Sequence, residues 1–299
     1  MTRFRLALAA SLAMMTTMAF AATQLLIWSD LTTRVRPAPQ ATVSYGAEAY
    51  QKVDVWLPAG GGPFPVVLMV HGGCWQTSIA DRTLMNWIAD DLRAAGTAVW
   101  NIDYRGVDRP GGGYPGTFED VSTAADALRT NAERFHLDLG RVVAVGHSAG
   151  GHLALWLAAR PKLPVTSSLY TEHPLKISHV ISLGGLPDLE ATAASPDNGC
   201  GTEVIARLTG KATPERPDVF ADTSVPRLLP IHVPQDLVNG ENDRIIPMRL
   251  GTGFLDQATR SGDRAILHRI ADTGHVELIA PESAAWAETK RLIRDAFKQ

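Results

Sequence analysis

The stretch that most constrains the fold is residues 142–151, with the sequence V-V-A-V-G-H-S-A-G-G. Its first four residues are apolar and three of them are valines, which predicts a short buried strand. The G-x-S-x-G pattern predicts a sharp turn into a helix, where Gly146 and Gly150 flank Ser148 because the crowded backbone leaves no room for side chains. We therefore expect Ser148 to project from the turn as a nucleophile. The amide of Ala149, which starts the helix, is placed to stabilise negative charge on a substrate oxygen.

Patterns typical of strands alternate with patterns typical of helices along most of the chain. The strand patterns cover residues 52–57, 66–70, 98–102, 142–145, 180–183, 231–238 and 265–270, and Pro234 breaks the sixth. The helix patterns cover residues 84–95, 117–135, 149–160, 248–261 and 281–297, with Thr117 as the expected N-cap of the second. This alternation predicts an α/β fold with a mostly parallel sheet covered by helices on both faces. Ligands of such sheets bind beyond the carboxyl ends of the strands.

The chain of 299 residues, 45% of them hydrophobic, suits one large domain or two small ones. No linker, internal repeat or block of like charge divides it, so we expect a single domain over residues 23–299. Residues 186–226 are irregular and rich in Pro, Asp and Thr, with one short helical pattern near residues 203–208. An insertion of that length is typical of a cap over a substrate site.

Residues 1–22 have the layout of a secretory signal peptide. Two arginines make the start positive, residues 6–20 carry no charge, and small residues end the run. The alternative is an uncleaved anchor helix, but an apolar run of about 15 residues is short for a bilayer that needs about 20. We predict cleavage after Ala21 or Ala22, a secreted or periplasmic protein, and no stable membrane insertion after cleavage.

The formal net charge of −3 and the scattered Lys and Arg residues argue against a nucleic acid or an anionic membrane as the main partner. The expected partner is a small-molecule substrate without strong charge. No Cys or His spacing fits a metal site and no glycine-rich phosphate loop is present, so we expect neither a metal nor a cofactor. The oligomeric state stays open.

A serine hydroxyl is a weak nucleophile at neutral pH, so Ser148 needs a base and a carboxylate that orients this base. The best candidates are Asp243, just past a strand pattern, and His275, in the loop after the last strand pattern. His71 is expected to brace its own loop through hydrogen bonds. Three other acids compete for the position of the orienting carboxylate, namely Glu241, Asp236 and Asp188.

Several motifs give the chain a resemblance to the α/β-hydrolase superfamily over nearly its whole mature length. The chain order of nucleophile, acid and histidine is that of the superfamily, and G-x-x-D at residues 240–243 and G-H at residues 274–275 match its acid and histidine loops. H-G-G-C-W at residues 71–75 is similar to the H-G-G-x-W motif of small carboxylesterases, feruloyl and acetylxylan esterases, and arylformamidases. The resemblance implies a serine esterase with the catalytic triad Ser148, Asp243 and His275.

The resemblance also implies that the backbone amides of Gly73 and Cys74 join that of Ala149 in an oxyanion hole. Cys74 departs from the H-G-G-G motif of hormone-sensitive-lipase-like esterases. Which amides point inward among those of Gly72, Gly73 and Cys74 therefore stays open.

These features together predict a serine hydrolase that cleaves carboxylic esters through an acyl-enzyme intermediate. Trp75 and Tyr114 are candidates to line its substrate pocket, although aromatic residues are more often part of the core. Two alternatives share the same site: an arylformamidase or other amidase, and a prolyl-oligopeptidase-like peptidase. A more distant alternative is a non-catalytic binding module on the same fold.

The two cysteines, Cys74 and Cys200, are expected to form a disulfide. An exported protein with two cysteines is often bridged, and both fall in loops expected at the same edge of the sheet. Such a bridge would hold the insertion against the H-G-G-C-W loop and narrow the acyl pocket. The alternative is two separate buried thiols.

Overall fold

The computed structural model describes residues 24–298, in which eight strands form one sheet. The strands are β1 (Ala41–Ser44), β2 (Lys52–Trp56), β3 (Phe64–Val70), β4 (Ala98–Ile102), β5 (Leu137–His147), β6 (His179–Leu183), β7 (Gln235–Gly240) and β8 (Ala265–Ile270). They lie in the order β1-β2-β4-β3-β5-β6-β7-β8. All pairs from β4 to β8 in that order are parallel, and β2 and β1 add an antiparallel edge.

Helices cover both faces of this sheet. They are α1 (Trp28–Thr32), α2 (Asn86–Ala94), α3 (Gly116–Asn131), α4 (Ala149–Ala159), α5 (Leu189–Ala193), α6 (Thr202–Thr209), α7 (Met248–Arg260) and α8 (Ala284–Ala296). Short 3₁₀ turns lie at Arg82–Met85, Arg160–Lys162, Val225–Leu228 and Glu277–Ile279. Apolar side chains of α3, α4 and α7 join one buried cluster, and those of α2 and α8 join a second cluster on the opposite face.

Strand β3 shows why the core has two sides. Val66, Leu68 and Val70 belong to the first cluster, whereas Val67 and Met69 belong to the second. Because side chains alternate between the two faces of a strand, an apolar run without alternation is typical of a strand covered on both sides. The predicted architecture, a mostly parallel sheet between helix layers, is confirmed.

The start of β7 differs from the predicted strand over residues 231–238. Instead of pairing with a neighbouring strand, the amides of Ile231 and His232 each donate to the carboxylate of Asp263 at 2.8 Å. The strand therefore begins only at Gln235, after Pro234. The sequence pattern also misses β1, because four residues at a sheet edge, half-buried and exposed in turn, carry too weak a signal.

Thr117 is not the N-cap of α3, which corrects the prediction. The helix begins one residue earlier, at Gly116, and no side chain caps it. The hydroxyl of Thr117 instead donates to the carbonyl of Arg105 at 2.7 Å and accepts from the amide of Gly113 at 2.9 Å. Thr117 thus fastens the preceding loop to the helix.

Residues 186–226 contain α5 and α6, which pack against each other. Asp188 caps α5 by accepting from the amide of Ala191 at 2.9 Å. The predicted signal peptide lies outside the described residues, and the limits of the single domain stay a prediction. Within residues 24–298, no helix is long and apolar enough to cross a membrane.

A buried carboxylate near the amino end of β7 joins three strands. Asp236 on β7 is hydrogen-bonded to His179 on β6 at 2.6 Å and to His268 on β8 at 2.7 Å. Burial acts to raise the pKa of Asp236, but the two histidine hydrogen bonds outweigh it and lower this pKa to about 2. The ionised carboxylate is thereby favoured in the folded state.

We expect Asp236→Asn to lower the free energy of unfolding by roughly 1–3 kcal/mol at neutral pH, because it weakens two buried hydrogen bonds. The pKa of Asp236 is lower in the folded than in the unfolded chain. Its contribution is therefore present above about pH 4 and is lost as the pH falls toward about 2. Denaturant unfolding at a series of pH values measures both effects.

Asp256→Asn is the matched control, because Asp256 lies exposed on α7. Equal stability of the two variants at neutral pH would contradict the structural role of Asp236.

Candidate active site

Ser148 lies in the turn between β5 and α4, with backbone angles φ 55° and ψ −122°. Few residues other than glycine adopt such a conformation, so the surrounding structure must hold it. A Cβ at Gly146 would lie 2.0 Å from the carbonyl oxygen of Gly150, and one at Gly150 would lie 2.2 Å from that of Val70. Both positions of the G-x-S-x-G pattern therefore exclude any side chain, as predicted.

His275 and Asp243 meet beside this turn. Nδ1 of His275 lies 2.6 Å from Oδ2 of Asp243, and both side chains are buried. The other carboxylate oxygen of Asp243 accepts from the amides of Ile245 and Ile246 at 2.8 and 2.9 Å. Because Nδ1 donates to the carboxylate, Nε2 of the neutral imidazole is left as a proton acceptor.

The acids that compete with Asp243 in the sequence lie elsewhere. Asp236, near the amino end of β7, is hydrogen-bonded to two other histidines, Asp188 caps α5, and Glu241 is exposed. Among these four acids, Asp243 alone hydrogen-bonds to His275.

The H-G-G-C-W loop crosses in front of Ser148. Gly73, Cys74 and Trp75 have φ values of 102°, 52° and 55°, which makes a tight left-handed turn. A Cβ at Gly72 would lie 3.0 Å from the Cβ of Ser148, so the loop touches the turn that carries the serine. This close approach requires glycine at position 72.

Polar side chains brace the same loop from behind. His71 is hydrogen-bonded through Nδ1 to the carbonyl of Gly72 at 2.6 Å and through Nε2 to Asp103 at 3.0 Å. Arg82 joins Asp103 to Asp54, at 2.9 Å from each carboxylate. The expected bracing role of His71 agrees with these contacts.

A cavity of about 310 Å³ brings the candidate groups together. Ser148, His275, Gly73 and Cys74 all line it, while Ala149 lies buried directly behind the serine at the start of α4. The rest of its wall is largely apolar and includes Trp28, Ile79, Ala80, Leu84 and Ile245. Sequence reasoning missed these apolar residues, because no spacing relates them to one another.

Trp75 does not line this cavity, which corrects the prediction. Its side chain is fully buried, and its indole N–H donates to Nδ1 of His152 at 3.3 Å. His152 in turn donates through Nε2 to the carbonyl of Thr223 at 2.8 Å, and burial lowers the pKa of His152 to about 4. Trp75 is therefore held in the core by a hydrogen bond to a neutral imidazole.

Tyr114 also lies away from the cavity at Ser148. Its hydroxyl hydrogen-bonds to Ser168 at 2.8 Å and to Asp222 at 2.9 Å. The guanidinium of Arg216 lies 3.5 Å from the centre of its ring. These partners hold Tyr114 beside a different cavity, so the prediction that it lines the substrate pocket is corrected as well.

His147 packs against His275 with 4.5 Å between the ring centres. It is buried, and its Nε2 donates to the carbonyl of His275 at 3.1 Å. Burial, followed by the proximity of His275, holds the pKa of His147 well below its ordinary value. A neutral His147 thus orients the backbone of His275 without adding a charge beside it.

Cys74 and Cys200 form a disulfide, as predicted from the sequence. It connects the H-G-G-C-W loop to the insertion over residues 186–226. Next to the bridge, the amide of Gly199 donates to the carbonyl of Ile245 at 2.8 Å. The insertion is thereby fastened to the loop in front of Ser148 and to the segment that follows Asp243.

A model of the BD-FAE family matches residues 53–257, which is more than half of the chain. The chain belongs to the BD-FAE family. The match covers strands β3 to β7, including the H-G-G-C-W loop, the turn at Ser148 and Asp243. His275 lies beyond the matched residues.

The chain is also similar to named relatives and to solved structures. A monoacylglycerol lipase of Mycolicibacterium smegmatis is 27% identical over 78% of this chain and 91% of its own. A kynurenine formamidase of Danio rerio is 25% identical over 56% of this chain and 64% of its own. The structure of an esterase B from Lactobacillus rhamnosis aligns with a TM-score of 0.72, at 18% identity, over 89% of this chain and 90% of that one. This likeness confirms the predicted α/β-hydrolase fold.

The chain spans only part of the length of several other relatives. The chain spans 24%, 6% and 54% of the length of the first three curated relatives it matches.

Within residues 24–298, no group of three or more His, Cys, Asp or Glu side chains is placed to hold a metal ion.

The disulfide should be detectable as a lack of alkylatable thiols in the unreduced, denatured protein. Because it closes a loop with a sequence separation of 126 residues, reduction should lower the free energy of unfolding by about 2–5 kcal/mol. Mass spectrometry after alkylation and denaturant unfolding measure the two effects. The double variant Cys74→Ser, Cys200→Ser is the control, since a reductant should not change its stability. Two reactive thiols in the unreduced wild type would contradict the bridge.

Gly184→Ala should disturb the His275–Asp243 pair. Gly184 has a φ of 55°, and a Cβ there would lie 2.7 Å from Cδ1 of Leu278, 3.2 Å from Nδ1 of His275 and 3.3 Å from Oδ2 of Asp243. We expect the rate at which a fluorophosphonate probe labels Ser148 to fall about 10- to 100-fold. Gly253→Ala is the control, because a Cβ at that helix position meets nothing within 4 Å. Unchanged labelling of folded Gly184→Ala would show that the pair does not activate the serine.

Proposed function

We propose that this chain is a serine esterase that hydrolyses a small-molecule carboxylic ester through an acyl-enzyme intermediate. One observation carries the proposal: Ser148, on a strained turn, shares a cavity with His275, whose Nδ1 lies 2.6 Å from the buried carboxylate of Asp243. This is the set of groups that activates a serine hydroxyl in acyl transfer.

In the proposed acylation, Oγ of Ser148 attacks the ester carbonyl carbon while Nε2 of His275 takes the hydroxyl proton. The C–O bond to the alcohol then breaks, and His275 returns the proton to the leaving oxygen. In deacylation a water attacks the acyl carbon while His275 takes its proton. The bond between the acyl carbon and Oγ of Ser148 then breaks, His275 returns the proton to Oγ, and the free acid leaves. Asp243 keeps His275 in the required tautomer and stabilises the imidazolium between these steps.

The negative charge on the carbonyl oxygen needs backbone donors. We assign this role to the amides of Ala149, Gly73 and Cys74. Ala149 belongs to the N-terminal turn of α4, and Gly73 and Cys74 line the cavity. Gly72, in contrast, packs against the turn that carries Ser148. The hydrogen bonds of His71 to Gly72 and Asp103 hold the loop in this arrangement.

The names of the relatives support ester hydrolysis, since they include a monoacylglycerol lipase and an esterase B. A second candidate is hydrolysis of an N-formyl amide, which the kynurenine formamidase among the relatives favours. Both reactions pass through a tetrahedral oxyanion, so the same groups serve either one.

We further propose that the protein acts outside the cytoplasm, in the periplasm or the medium. The charged and apolar layout of residues 1–22 and the Cys74–Cys200 disulfide support an oxidising compartment. The proposed partner is the small-molecule ester alone.

Ser148→Ala should lower kcat/KM for p-nitrophenyl acetate by at least about 10³-fold, because no other group replaces the nucleophile. Ser78→Ala is the matched control, since Ser78 is an exposed residue of a neighbouring loop. If folded Ser148→Ala retained most of the activity, this result would contradict the proposal.

A panel of acetyl, butyryl, feruloyl and N-formyl substrates, assayed side by side with the wild type, separates esterase from formamidase. A higher kcat/KM for the N-formyl substrate than for every ester would favour the second candidate.

A further inference from the structure

The segment that precedes β1 runs along the candidate active site. The amide of Leu26 donates to the carboxylate of Glu277, which also accepts from the amide of Gly274, next to His275. Glu277 is 7% exposed, so this hydrogen-bonded contact is buried. The start of the segment is thus attached to the loop that carries His275.

Two further contacts fix the segment beyond this point. Leu31 on α1 is fully buried in the core cluster of α2 and α8. Arg34 forms an ion pair with Glu282, with 2.9 Å between Nη1 and Oε2. Helix α1 is therefore held in one place on the surface, although it has only five residues.

Between these attachments, Trp28 faces the candidate catalytic groups. Its ring centre lies 6.1 Å from that of His275 and 6.2 Å from that of His147, with its plane nearly perpendicular to both. Its side chain is 38% exposed, so Trp28 contacts these two histidines while part of it remains in solvent. Large aromatic residues with this exposure contribute area to binding sites at low entropic cost.

Trp28, Ile245 and His275 lie between two spaces and line both of them. On one side is the cavity of about 310 Å³ that contains Ser148. On the other is a groove of about 600 Å³, whose lining includes Gln24, Asn242, Arg244 and Asp272 but not Ser148. The cavity is mainly apolar, whereas the groove carries polar and charged side chains at its rim.

The reaction assigns different parts of the ester to these spaces. His275 returns its proton to the leaving oxygen, so the alcohol leaves beside the imidazole, which borders both the cavity and the groove. The carbonyl oxygen must face the amides of Gly73 and Cys74, so the acyl chain extends into the cavity lined by Ile79 and Leu84. A cavity of this volume is at the small end of ligand pockets.

We propose that Trp28 is a specificity-determining residue that closes the acyl cavity toward the groove and so limits the length of the acyl chain. This inference rests on the proposed esterase function and adds a residue outside the predicted triad and oxyanion hole. Removal of the indole joins the two spaces and lets a longer chain pass beside His275 into the groove.

The test is the ratio of kcat/KM for p-nitrophenyl octanoate to that for p-nitrophenyl acetate. In Trp28→Ala this ratio should rise about 10-fold or more over the wild type, mainly through a lower KM for the octanoate. Trp28→Phe leaves a smaller ring in place and should give a smaller rise in the same direction. Val35→Ala is the matched control, because Val35 is in the same segment and 94% exposed, and its ratio should equal that of the wild type.

An unchanged ratio in folded Trp28→Ala would overturn the inference. If that unchanged ratio came with an equal loss of activity on both esters, Trp28 would only support His275. The parallel Ser148→Ala assay keeps the two proposals apart. If Ser148→Ala is inactive and the ratio is unchanged, the inference about Trp28 fails while the esterase proposal stands.

Discussion

The site depends on how tightly the backbone turns at Ser148 and on how closely this turn approaches the end of strand β3. The serine adopts a positive φ, and contact distances near 2 Å for a Cβ at Gly146 or Gly150 leave room for hydrogen alone. Such a conformation costs about 1–3 kcal/mol and persists only where the surroundings impose it. Here the buried strand β5 and the fully buried helix α4 impose it, so the core of the sheet positions the candidate nucleophile.

Hydrogen bonds to buried carboxylates fix the other parts of the site. Asp243 accepts hydrogen bonds from two backbone amides besides its contact with His275. Asp103 is hydrogen-bonded to both His71 and Arg82 and so supports the H-G-G-C-W loop. A carboxylate that is removed from water is stable only when its oxygens are satisfied, so each of these groups has a narrowly defined position. The loops at the carboxyl edge of the sheet are therefore rigid where the chemistry requires it.

Two segments far apart in the sequence complete the cavity around this scaffold. The insertion over residues 186–226 is joined to the H-G-G-C-W loop by the Cys74–Cys200 disulfide, and the segment before β1 brings Trp28 against His275. The sheet and its loops hold the reacting groups. In the proposed esterase, the two attached segments would shape the space for the substrate, so that selectivity and reactivity would come from different parts of the chain.

Only the tertiary structure brought Asp243, rather than a competing acid, to His275. The sequence by itself determined the sheet between two helix layers and the turn at Ser148. Each of these leaves a local signal, since side-chain periodicity and glycine spacing reflect the backbone of the same few residues. Only the tertiary structure decided that Trp75 turns into the core toward His152, and that Trp28 rather than Trp75 or Tyr114 walls the cavity. The direction of an aromatic side chain depends on partners up to 247 positions away, as for Trp28 and His275, and no local pattern encodes those partners.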